Sequence, residues 1–379
     1  MPRTVRGTRR TAGAAAVLTV LSLAATACGS DPQPAAAPPP AAASTGGKPA
    51  VKLPESLQDL KNLKVEDLAA WAEEHGFKPE SLQDYWDKAK MLAAQGVRPK
   101  DANIAEARTP TRDQVVFPPA IPAKAQPHPY NANTAVVGKI FAEVNKNTYS
   151  ECSGTVVADP RHPGKSNLVW TAAHCVHGGK GADWLKKTSF VPAFNRPGAP
   201  AGRKDVPFDQ LAPHGAWTVE DMYVMPQWTQ EGGEKGSGAS QYDFAVLRVR
   251  NERGGGGKSL EESVGGAVPI WFNAPADRLT AFSSYGYPAD APFDGMELEH
   301  CDSTVKPVPY VYDPARPPML AMGCTMTSGS SGGGWFGARD GKPALVSNTS
   351  VGNSTNTMLA GPTLGDEARK MFEYFSAKR

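Results

Sequence analysis

The run Gly329-Ser330-Ser331-Gly332-Gly333 has the residue types and spacing of a nucleophile turn. Small neighbours let Ser331 present its Oγ on a tight turn, and the N–H groups of Gly329 and Ser331 can then point at one spot and stabilise an oxyanion. Glycine at 329 permits backbone angles that a Cβ would forbid. Because Gly/Ser clusters are also common in plain loops, the pattern gains meaning only if the chain supplies a base and a carboxylate.

One of the seven histidines has the surroundings of a general base. His174 follows the run Leu168–Ala173, which is apolar and ends in small residues, and it precedes Cys175. A strand end and a disulfide-forming cysteine would hold the imidazole in place, as a general base requires. His75 and His128 lie outside the β-rich region. The other four lie among Gly, Pro or charged residues and are expected at the surface: His162, His177, His214 and His300.

The orienting carboxylate is best sought beside a buried strand. Asp243 lies between Tyr242 and Phe244 at the start of the apolar run 244–249. From there it would accept the His174 Nδ1–H and stabilise the imidazolium that forms when Ser331 loses its proton. The alternative is a carboxylate that only caps the turn into the strand.

The order of these residues along the chain separates two scaffolds. The pattern Gly329-x-Ser331-x-Gly333 also fits the nucleophile elbow of α/β-hydrolases, in which the triad histidine follows the serine. The last histidine of this chain is His300, so no histidine follows Ser331. The available order is His174, Asp243, Ser331, which is that of chymotrypsin-type enzymes.

Composition narrows the class of protein. The 379 residues are 40% hydrophobic and 21% charged, and the net charge is +2. This balance allows one large or two ordinary globular domains, and without a basic stripe it argues against a nucleic-acid partner. Short β-branched or apolar runs predict an all-β, barrel-type architecture, and helical periodicity over 364–375 predicts a C-terminal helix. The runs are 136–141, 153–157, 168–170, 244–249 and 344–346.

Residues 1–28 have the anatomy of an export signal. Four arginines precede the apolar run Ala14–Ala25, and small residues lead up to Cys28. The run is too short for an ordinary transmembrane helix. The site resembles a bacterial lipobox, which predicts an outward-facing lipoprotein anchored to the membrane through an acylated Cys28. The alternative is a secreted protein cut near Ala27, and the pair Arg9-Arg10 leaves both the Sec and the twin-arginine routes open.

Four of the five cysteines remain if Cys28 carries lipid. An even number in an exported chain favours disulfides. Three pairings are possible, and the sequential one closes the shortest loops. No Cys-x-x-Cys or His-x-x-x-His spacing occurs, so the sequence predicts no metal site. The four residues are Cys152, Cys175, Cys301 and Cys324.

The remaining N-terminal sequence divides into three segments. Residues 29–50 form a Pro/Ala-rich tether, 51–108 a small helical segment, and 109–129 a Pro-rich connector that ends at a domain boundary near 130. The helical segment would be a propeptide, a spacer packed on the main domain, or a partner-binding module. Its stripe consists of Leu57, Leu60, Leu63, Leu68, Trp71, Leu82, Tyr85, Trp86, Ala89 and Leu92.

Four motifs together resemble the trypsin-like serine peptidases of the chymotrypsin fold, over about residues 130–379. They are Cys152–Val157, Thr171–Cys175, Asp243–Leu247 and Gly329–Gly333. Within that superfamily, Gly286-Tyr287-Pro288, the following Cys301 and the run Cys324–Ser331 are similar to the bacterial glutamyl-endopeptidase-like branch.

The resemblance implies two perpendicular six-stranded β-barrels with a His174, Asp243, Ser331 triad in the cleft between them. It also implies an oxyanion hole at Gly329 and Ser331, and a Cys152–Cys175 bridge behind the histidine. The expected protein is an exported serine endopeptidase that acts on proteins or peptides through an acyl-enzyme, with no metal or organic cofactor. The alternative is a non-catalytic lipoprotein of the same fold that binds cell-envelope partners.

Two features depart from the family pattern. Ser330 stands where animal trypsins have an aspartate, and no trypsin-type activation site is visible near residue 130, so activation by a new N-terminus is not expected. The family's pocket floor corresponds to Thr325, and one wall to the strand that contains Ser347, Asn348 and Thr349. These residues include no aspartate and no histidine, so neither an Arg/Lys nor a Glu preference is implied.

Overall fold

The computed structural model describes residues 64–76, 85–96, 117–199, 206–251 and 257–378. The predicted export signal with Cys28, the tether over 29–50, and four leucines of the helical stripe (Leu57, Leu60, Leu63 and Leu82) lie outside these ranges. Within the ranges, no helix has both the length and the apolar character that crossing a membrane requires.

Most regular elements of the described ranges are strands, as the short apolar runs predict. The first eight are β1 (Gln95–Gly96), β2 (Lys124–Ala125), β3 (Val137–Asn145), β4 (Thr148–Val157), β5 (Leu168–Thr171), β6 (Lys186–Pro192), β7 (Trp217–Val224) and β8 (Ala245–Arg250). The others are β9 (Phe282–Gly286), β10 (Glu299–Ser303), β11 (Val308–Tyr310), β12 (Met319–Gly323), β13 (Gly334–Arg339), β14 (Lys342–Asn348), β15 (Val351–Gly352) and β16 (Met358–Pro362).

The helices of the described ranges are few and short. They are α1 (Val65–His75), α2 (Lys88–Ala93), α3 (Phe208–Leu211), α4 (Pro226–Glu231), α5 (Leu260–Val264) and α6 (Asp366–Ala377). Single 3₁₀ turns occur at Ala173–Cys175, Gly238–Tyr242 and Ala276–Arg278. The all-β prediction is therefore confirmed, and α6 confirms the predicted C-terminal helix.

The first half of the β region is a closed barrel. Its seven-stranded sheet has the order β1-β4-β3-β6-β7-β8-β5, and β4 pairs again with β5, so the six strands other than β1 close on themselves. Closure removes the exposed edges that would otherwise favour aggregation. Large side chains fill the interior without exposure, among them Phe141, Phe190, Trp170 and Phe244.

The second half consists of two sheets rather than one continuous hydrogen-bonded ladder. Their orders are β14-β13-β9-β10-β2 and β11-β12-β16-β15. Buried side chains from both sheets form a shared core, including Phe282, Trp335, Met322 and Leu359. β14 and β16 belong to different sheets but lie close together, since a Cβ on Gly361 would be only 2.1 Å from the Asn348 carbonyl oxygen.

Both disulfides pair sequential cysteines. Cys152 bonds to Cys175 and Cys301 to Cys324, each with a sequence separation of 23 residues. The first joins β4 to the turn after β5, and the second joins β10 to the residue after β12. On the chain-entropy account, each closed loop of this size stabilises the fold by roughly 3 kcal/mol.

The described parts of the N-terminal helical segment pack on the first barrel. Leu68 and Trp71 of α1 are buried, and the Trp71 ring meets the edge of Tyr223 of β7. Trp86 is also buried, and its indole N–H donates to the Lys187 carbonyl at 2.6 Å. Leu92 of the predicted stripe is instead exposed, and Met91 takes the buried place on α2. The division of the chain into domains stays a prediction.

The described part of the Pro-rich connector lies against the second half. The Ile121 carbonyl accepts from Thr325 N at 3.0 Å, and β2 adds to the sheet edge beside β10. Next to this edge, Glu299 of β10 is 7% exposed. Burial and the nearby carboxylates of Glu297 and Asp294 raise its pKa from 4.5 to about 7.

The raised pKa of Glu299 makes stability fall as pH rises. Between pH 4.5 and about 7 the folded state keeps the Glu299 proton, whereas the unfolded state has lost it. The contribution of Glu299 to the free energy of unfolding is therefore fully present below pH 4.5 and is lost as pH rises to about 7. In urea unfolding from pH 4.5 to 8, we expect wild-type protein to lose up to about 3 kcal/mol relative to Glu299→Gln. The exposed Glu66→Gln variant should follow wild type. Parallel curves for wild type and Glu299→Gln contradict the prediction.

Candidate active site

Neighbouring strands of the first barrel bring His174 and Asp243 together. β5 and β8 pair antiparallel with Thr171 opposite Ala245. His174 lies in the 3₁₀ turn that follows β5, and Asp243 immediately follows another 3₁₀ turn that leads into β8. Because both residues lie just beyond the same end of this strand pair, the ladder fixes their separation.

The Asp243 carboxylate is fully buried and accepts three hydrogen bonds. Its Oδ2 lies 2.7 Å from His174 Nδ1 and 2.5 Å from Ser350 Oγ, and its Oδ1 accepts from His174 N at 2.9 Å. A carboxylate without exposure needs such donors to remain charged. With Nδ1 donating to Asp243, the neutral His174 ring has its lone pair on Nε2, as a general base needs.

Ser350 and Asn348 support Asp243 in ways that the sequence analysis missed. Asn348 Nδ2 donates to the Asp243 carbonyl at 3.0 Å, and its Oδ1 accepts from Trp170 Nε1 at 3.0 Å. Ser350 follows β14 by two residues. In the sequence, Asn348 and Ser350 were marked only by their position in or beside the predicted pocket wall. That position does not indicate that their side chains turn towards Asp243.

The turn with Ser331 is held between the two halves of the β region. Ser153 of β4 donates its N–H to the Ser331 carbonyl at 2.7 Å and its hydroxyl to the Gly329 carbonyl at 2.8 Å. From the second half, the Thr349 carbonyl accepts from Gly332 N at 2.7 Å.

Glycine is required at two positions of this turn. Gly329 and Gly332 have φ angles of 94° and 78°, in the left-handed region that favours glycine. A Cβ on Gly329 would lie 2.5 Å from the Tyr287 carbonyl oxygen, and one on Gly332 would lie 2.4 Å from the Ser153 carbonyl oxygen. The backbones around the turn therefore pack in direct contact, with no space for side chains at these positions.

The proposed oxyanion donors have no acceptor among the residues that the structure describes. The Ser328 carbonyl accepts from Ala289 N at 2.6 Å, so across the trans peptide the Gly329 N–H points away from Ala289. Within the described ranges, neither the Gly329 N–H nor the Ser331 N–H donates to any group. Buried N–H groups are rarely left unpaired unless a ligand or water uses them.

The Ser331 hydroxyl is buried and also lacks a hydrogen-bond partner among the described residues. Within the described ranges, His174 Nε2 contacts Cys175 Sγ at 3.7 Å and makes no hydrogen bond with Ser331 Oγ. The structure therefore joins two of the three predicted triad residues by a hydrogen bond and does not join the third.

Ser330 closes the nucleophile turn on itself. Its hydroxyl donates to the Thr327 carbonyl at 2.7 Å, and the residue is fully buried. Thr327 in turn donates its hydroxyl to the Asp290 carbonyl at 2.9 Å. Ser330 is therefore held by a chain of neutral hydrogen bonds that runs through Thr327 to Asp290.

The loop after β9 that supports this turn rests on a buried ion pair. Lys139 and Glu151, each 3% exposed, lie 2.5 Å apart on β3 and β4. Lys139 Nζ also donates to the Gly295 carbonyl at 2.8 Å. Burial raises the pKa of the Glu151 carboxyl, and the Lys139 ammonium opposes that shift. The pair was not found from the sequence, because its members are twelve positions apart on two strands.

The four predicted pocket residues make internal hydrogen bonds. Thr325 Oγ1 accepts from Ala123 N at 2.8 Å, Ser347 Oγ donates to the Pro362 carbonyl at 2.8 Å, and Thr349 Oγ1 accepts from Trp335 Nε1 at 3.0 Å. Asn348 contacts Asp243, and only Thr325 of the four keeps partial exposure. Within the described ranges no hydrogen bond joins Thr325 to the other three, and the assignment of a substrate pocket to them stays a prediction.

Three of the four histidines expected at the surface are less exposed than predicted, since His177 is buried and His214 and His300 are only partly exposed. His177 is 6% exposed rather than a surface group, because the chain folds back so that Trp184 meets its ring edge-on and Trp228 Nε1 donates to its carbonyl at 2.8 Å. Burial lowers the pKa of His177. His162, by contrast, is exposed as expected.

Comparison with solved structures finds serine proteases. The chain is similar to a thermostable serine protease, AL20, from an extremophilic microorganism, with 30% identity and a TM-score of 0.51, over 66% of this chain and 100% of that chain. It is also similar to the protease Anisep from Arthrobacter nicotinovorans, with 27% identity and a TM-score of 0.51, over 68% and 100% of the two chains. A Glu endopeptidase in complex with MPD matches at 19% identity and a TM-score of 0.48, over 70% and 100%.

No model of a protein family matches the chain, and no curated protein matches it by sequence. The protease similarities nevertheless cover the whole length of the matched structures, and they agree with the closed barrel and the C-terminal helix described above. This chain therefore belongs to the serine proteases with a chymotrypsin-like fold.

The packing of the nucleophile turn leads to a stability prediction at Gly332. Gly332→Ala should lower the free energy of unfolding by about 1–3 kcal/mol more than Gly341→Ala, because both glycines have positive φ but only Gly332 lacks space for a Cβ. The free energies are measured by guanidinium unfolding. Equal losses for the two variants would show that the turn has room to adjust.

Proposed function

We propose that this protein is an exported serine endopeptidase that hydrolyses peptide bonds through an acyl-enzyme. The observation that carries the proposal is the buried chain from Ser350 through Asp243 to His174. The turn at Ser331 also supports the proposal, because the Ser331 hydroxyl and the N–H groups of Gly329 and Ser331 have no hydrogen-bond partner within the described ranges. These are the base, the orienting carboxylate, the nucleophile and the oxyanion donors that acyl transfer needs.

The reaction would begin with attack of Ser331 Oγ on the peptide carbonyl carbon, while its proton moves to His174 Nε2. Asp243 stabilises the imidazolium, and the N–H groups of Gly329 and Ser331 bind the oxyanion. As the C–N bond breaks, the Nε2 proton moves to the departing amine. Water then attacks the acyl-enzyme with His174 again as base and releases the acid and free Ser331. The hydrogen bond from Ser331 Oγ to Nε2 must form on the way, and such bonds often tighten only when substrate binds.

The proposed location is outside the cytoplasm. The two disulfides support an oxidising compartment. Residues 1–28 direct export, and an acylated Cys28 holds the protein at the membrane through the 29–50 tether. The proposed substrates are proteins or peptides. The similarity at Gly286–Pro288 and Cys324–Ser331 supports the bacterial glutamyl-endopeptidase-like branch, without a glutamate preference.

A second candidate is a non-catalytic envelope-binding lipoprotein of the same fold. The observation that favours it is the missing hydrogen bond between Ser331 Oγ and His174 Nε2. The two candidates differ in whether Ser331 is nucleophilic, because a binding protein does not need an activated serine.

A fluorophosphonate probe should distinguish them. We expect the folded protein to form a covalent adduct at Ser331, located by peptide mass spectrometry, because the probe reacts with serines that a neighbouring histidine activates. Ser331→Ala should form none, and neighbouring Ser330 should stay unmodified. If Ser331 remains free during an incubation that labels a control serine protease completely, the endopeptidase proposal fails.

Ser350 should accelerate the same reaction by holding Asp243. Ser350→Ala removes a hydrogen bond to a charged group, which is worth about 1.5–3 kcal/mol, and should slow labelling about 10- to 100-fold. Asp243→Asn, which disturbs the His174 tautomer, should slow it by about 10⁴-fold.

Ser376→Ala is the matched control for Ser350→Ala. It deletes a similar buried bond, from Ser376 Oγ to Asp159 at 2.6 Å, where the acceptor is not Asp243. Labelling at the wild-type rate is expected for this variant. Equal slowing by both serine substitutions would indicate a loss of stability rather than a role for Ser350 in the site.

A further inference from the structure

The proposed nucleophile is covered. Ser331 has no exposed surface, His174 is 6% exposed, and every residue from 326 to 335 is buried. A peptide must reach Ser331 Oγ before it can react, so some part of the covering structure has to move or to be displaced.

A short strand from the N-terminal segment lies at this place. β1 pairs parallel with β4, with Gln95 opposite Ser150 and Gly96 opposite Glu151. Two residues further along β4, Ser153 donates to the Ser331 carbonyl. β1 therefore adds to the barrel strand that also holds the nucleophile turn.

Gly96 touches the peptide that carries a proposed oxyanion donor. A Cβ on Gly96 would lie 2.6 Å from Ser328 C and 2.7 Å from Gly329 N. Since real Cβ atoms do not come so close to other heavy atoms, only glycine fits here without a shift. The main chain at residue 96 thus lies directly on the Ser328–Gly329 peptide. A bound substrate would need this space, because its oxyanion would lie beside the same peptide.

The segment leading to Gly96 is anchored on the first barrel. Trp86 packs against the rings of Phe141 and Tyr149 and donates to the Lys187 carbonyl. Met91 on α2 is 2% exposed. Within the described range 85–96, Gln95 is exposed and Gly96 is partly exposed. Residue 86 is therefore held by buried aromatic packing, whereas residues 95 and 96, beside the site, keep solvent exposure.

We propose that residues 86–96 form an autoinhibitory strap whose β1 end occupies the edge of the active site. The inference rests on the proposed peptidase function, since it concerns access to the same serine. Trp86 keeps the strap on the barrel, while release of Gln95 and Gly96 from β4 uncovers the Ser328–Gly329 peptide for substrate. In the strapped state Ser331 reacts slowly, and the fraction of released molecules sets the observed rate.

Gly96→Leu tests the strap in the full-length protein. A leucine at 96 cannot lie on the Ser328–Gly329 peptide, so it should push β1 away while Trp86 stays in place. The matched control is Gly266→Leu, where a Cβ meets nothing within 4 Å. We expect Gly96→Leu to label with fluorophosphonate at least about tenfold faster than wild type, which corresponds to about 1.4 kcal/mol, and Gly266→Leu to label at the wild-type rate.

A second measurement uses the wild-type chain, in case Gly96→Leu fails to fold. A fluorophosphonate adduct on Ser331 should displace β1 and so speed hydrogen–deuterium exchange in residues 90–96, while exchange in α6 stays unchanged. Faster exchange confined to 90–96 supports the strap.

Two outcomes overturn the strap proposal, and only the second also overturns the peptidase proposal. Equal labelling rates for wild type, Gly96→Leu and Gly266→Leu, or unchanged exchange in 90–96 after labelling, remove the strap and leave the peptidase proposal standing. Absence of labelling in all three proteins, beside a control protease that reacts, removes the peptidase proposal and the strap with it.

Discussion

The close packing of the Gly329–Gly333 turn between the two halves of the β region is the constraint on which the site depends. Ser153 on one side and Thr349 on the other hold this turn through main-chain hydrogen bonds. Gly332 shows how little space remains, since a Cβ there would lie 2.0 Å from Thr171 Oγ1. A packed interior is not continuously deformable, so the position of Ser331 is determined by both halves together and by neither alone.

The same arrangement explains why Asp243 needs partners from distant parts of the chain. A fully buried carboxylate is costly unless several donors surround it. His174 reaches Asp243 through the pairing of β5 with β8 inside the first barrel, whereas Ser350 and Asn348 come from the second half. Contact between the halves thus completes the hydrogen bonding of Asp243 as well as the position of Ser331.

The sequence predicted the parts that depend on local signals. Short β-branched or apolar runs located strands such as β5 and β8, small residues marked the Ser331 turn, and chain order excluded the α/β-hydrolase scaffold. It did not predict Ser350, because its partnership with Asp243 spans 107 positions and arises only when the second half folds onto the first. The burial of His177 was also not predicted, because its contacts with the Trp184 ring and with Trp228 Nε1 form only when the chain folds back on itself.

A hydrogen bond from a neighbouring loop orients the Ser328–Gly329 peptide, which carries a proposed oxyanion donor. The Ser328–Gly329 peptide is oriented by Ala289 N, on a loop whose Gly295 carbonyl accepts from Lys139. Lys139 pairs with Glu151 on β4, and Glu151 is also the residue opposite Gly96 in the strap. A buried ion pair is strongly destabilising when one partner is removed, so this pair ties the supporting loop firmly to β4. The loop that holds the Ser328–Gly329 peptide and the proposed strap therefore meet at one residue of the barrel, Glu151, which the loop reaches through Lys139 and the strap through its pairing at Gly96.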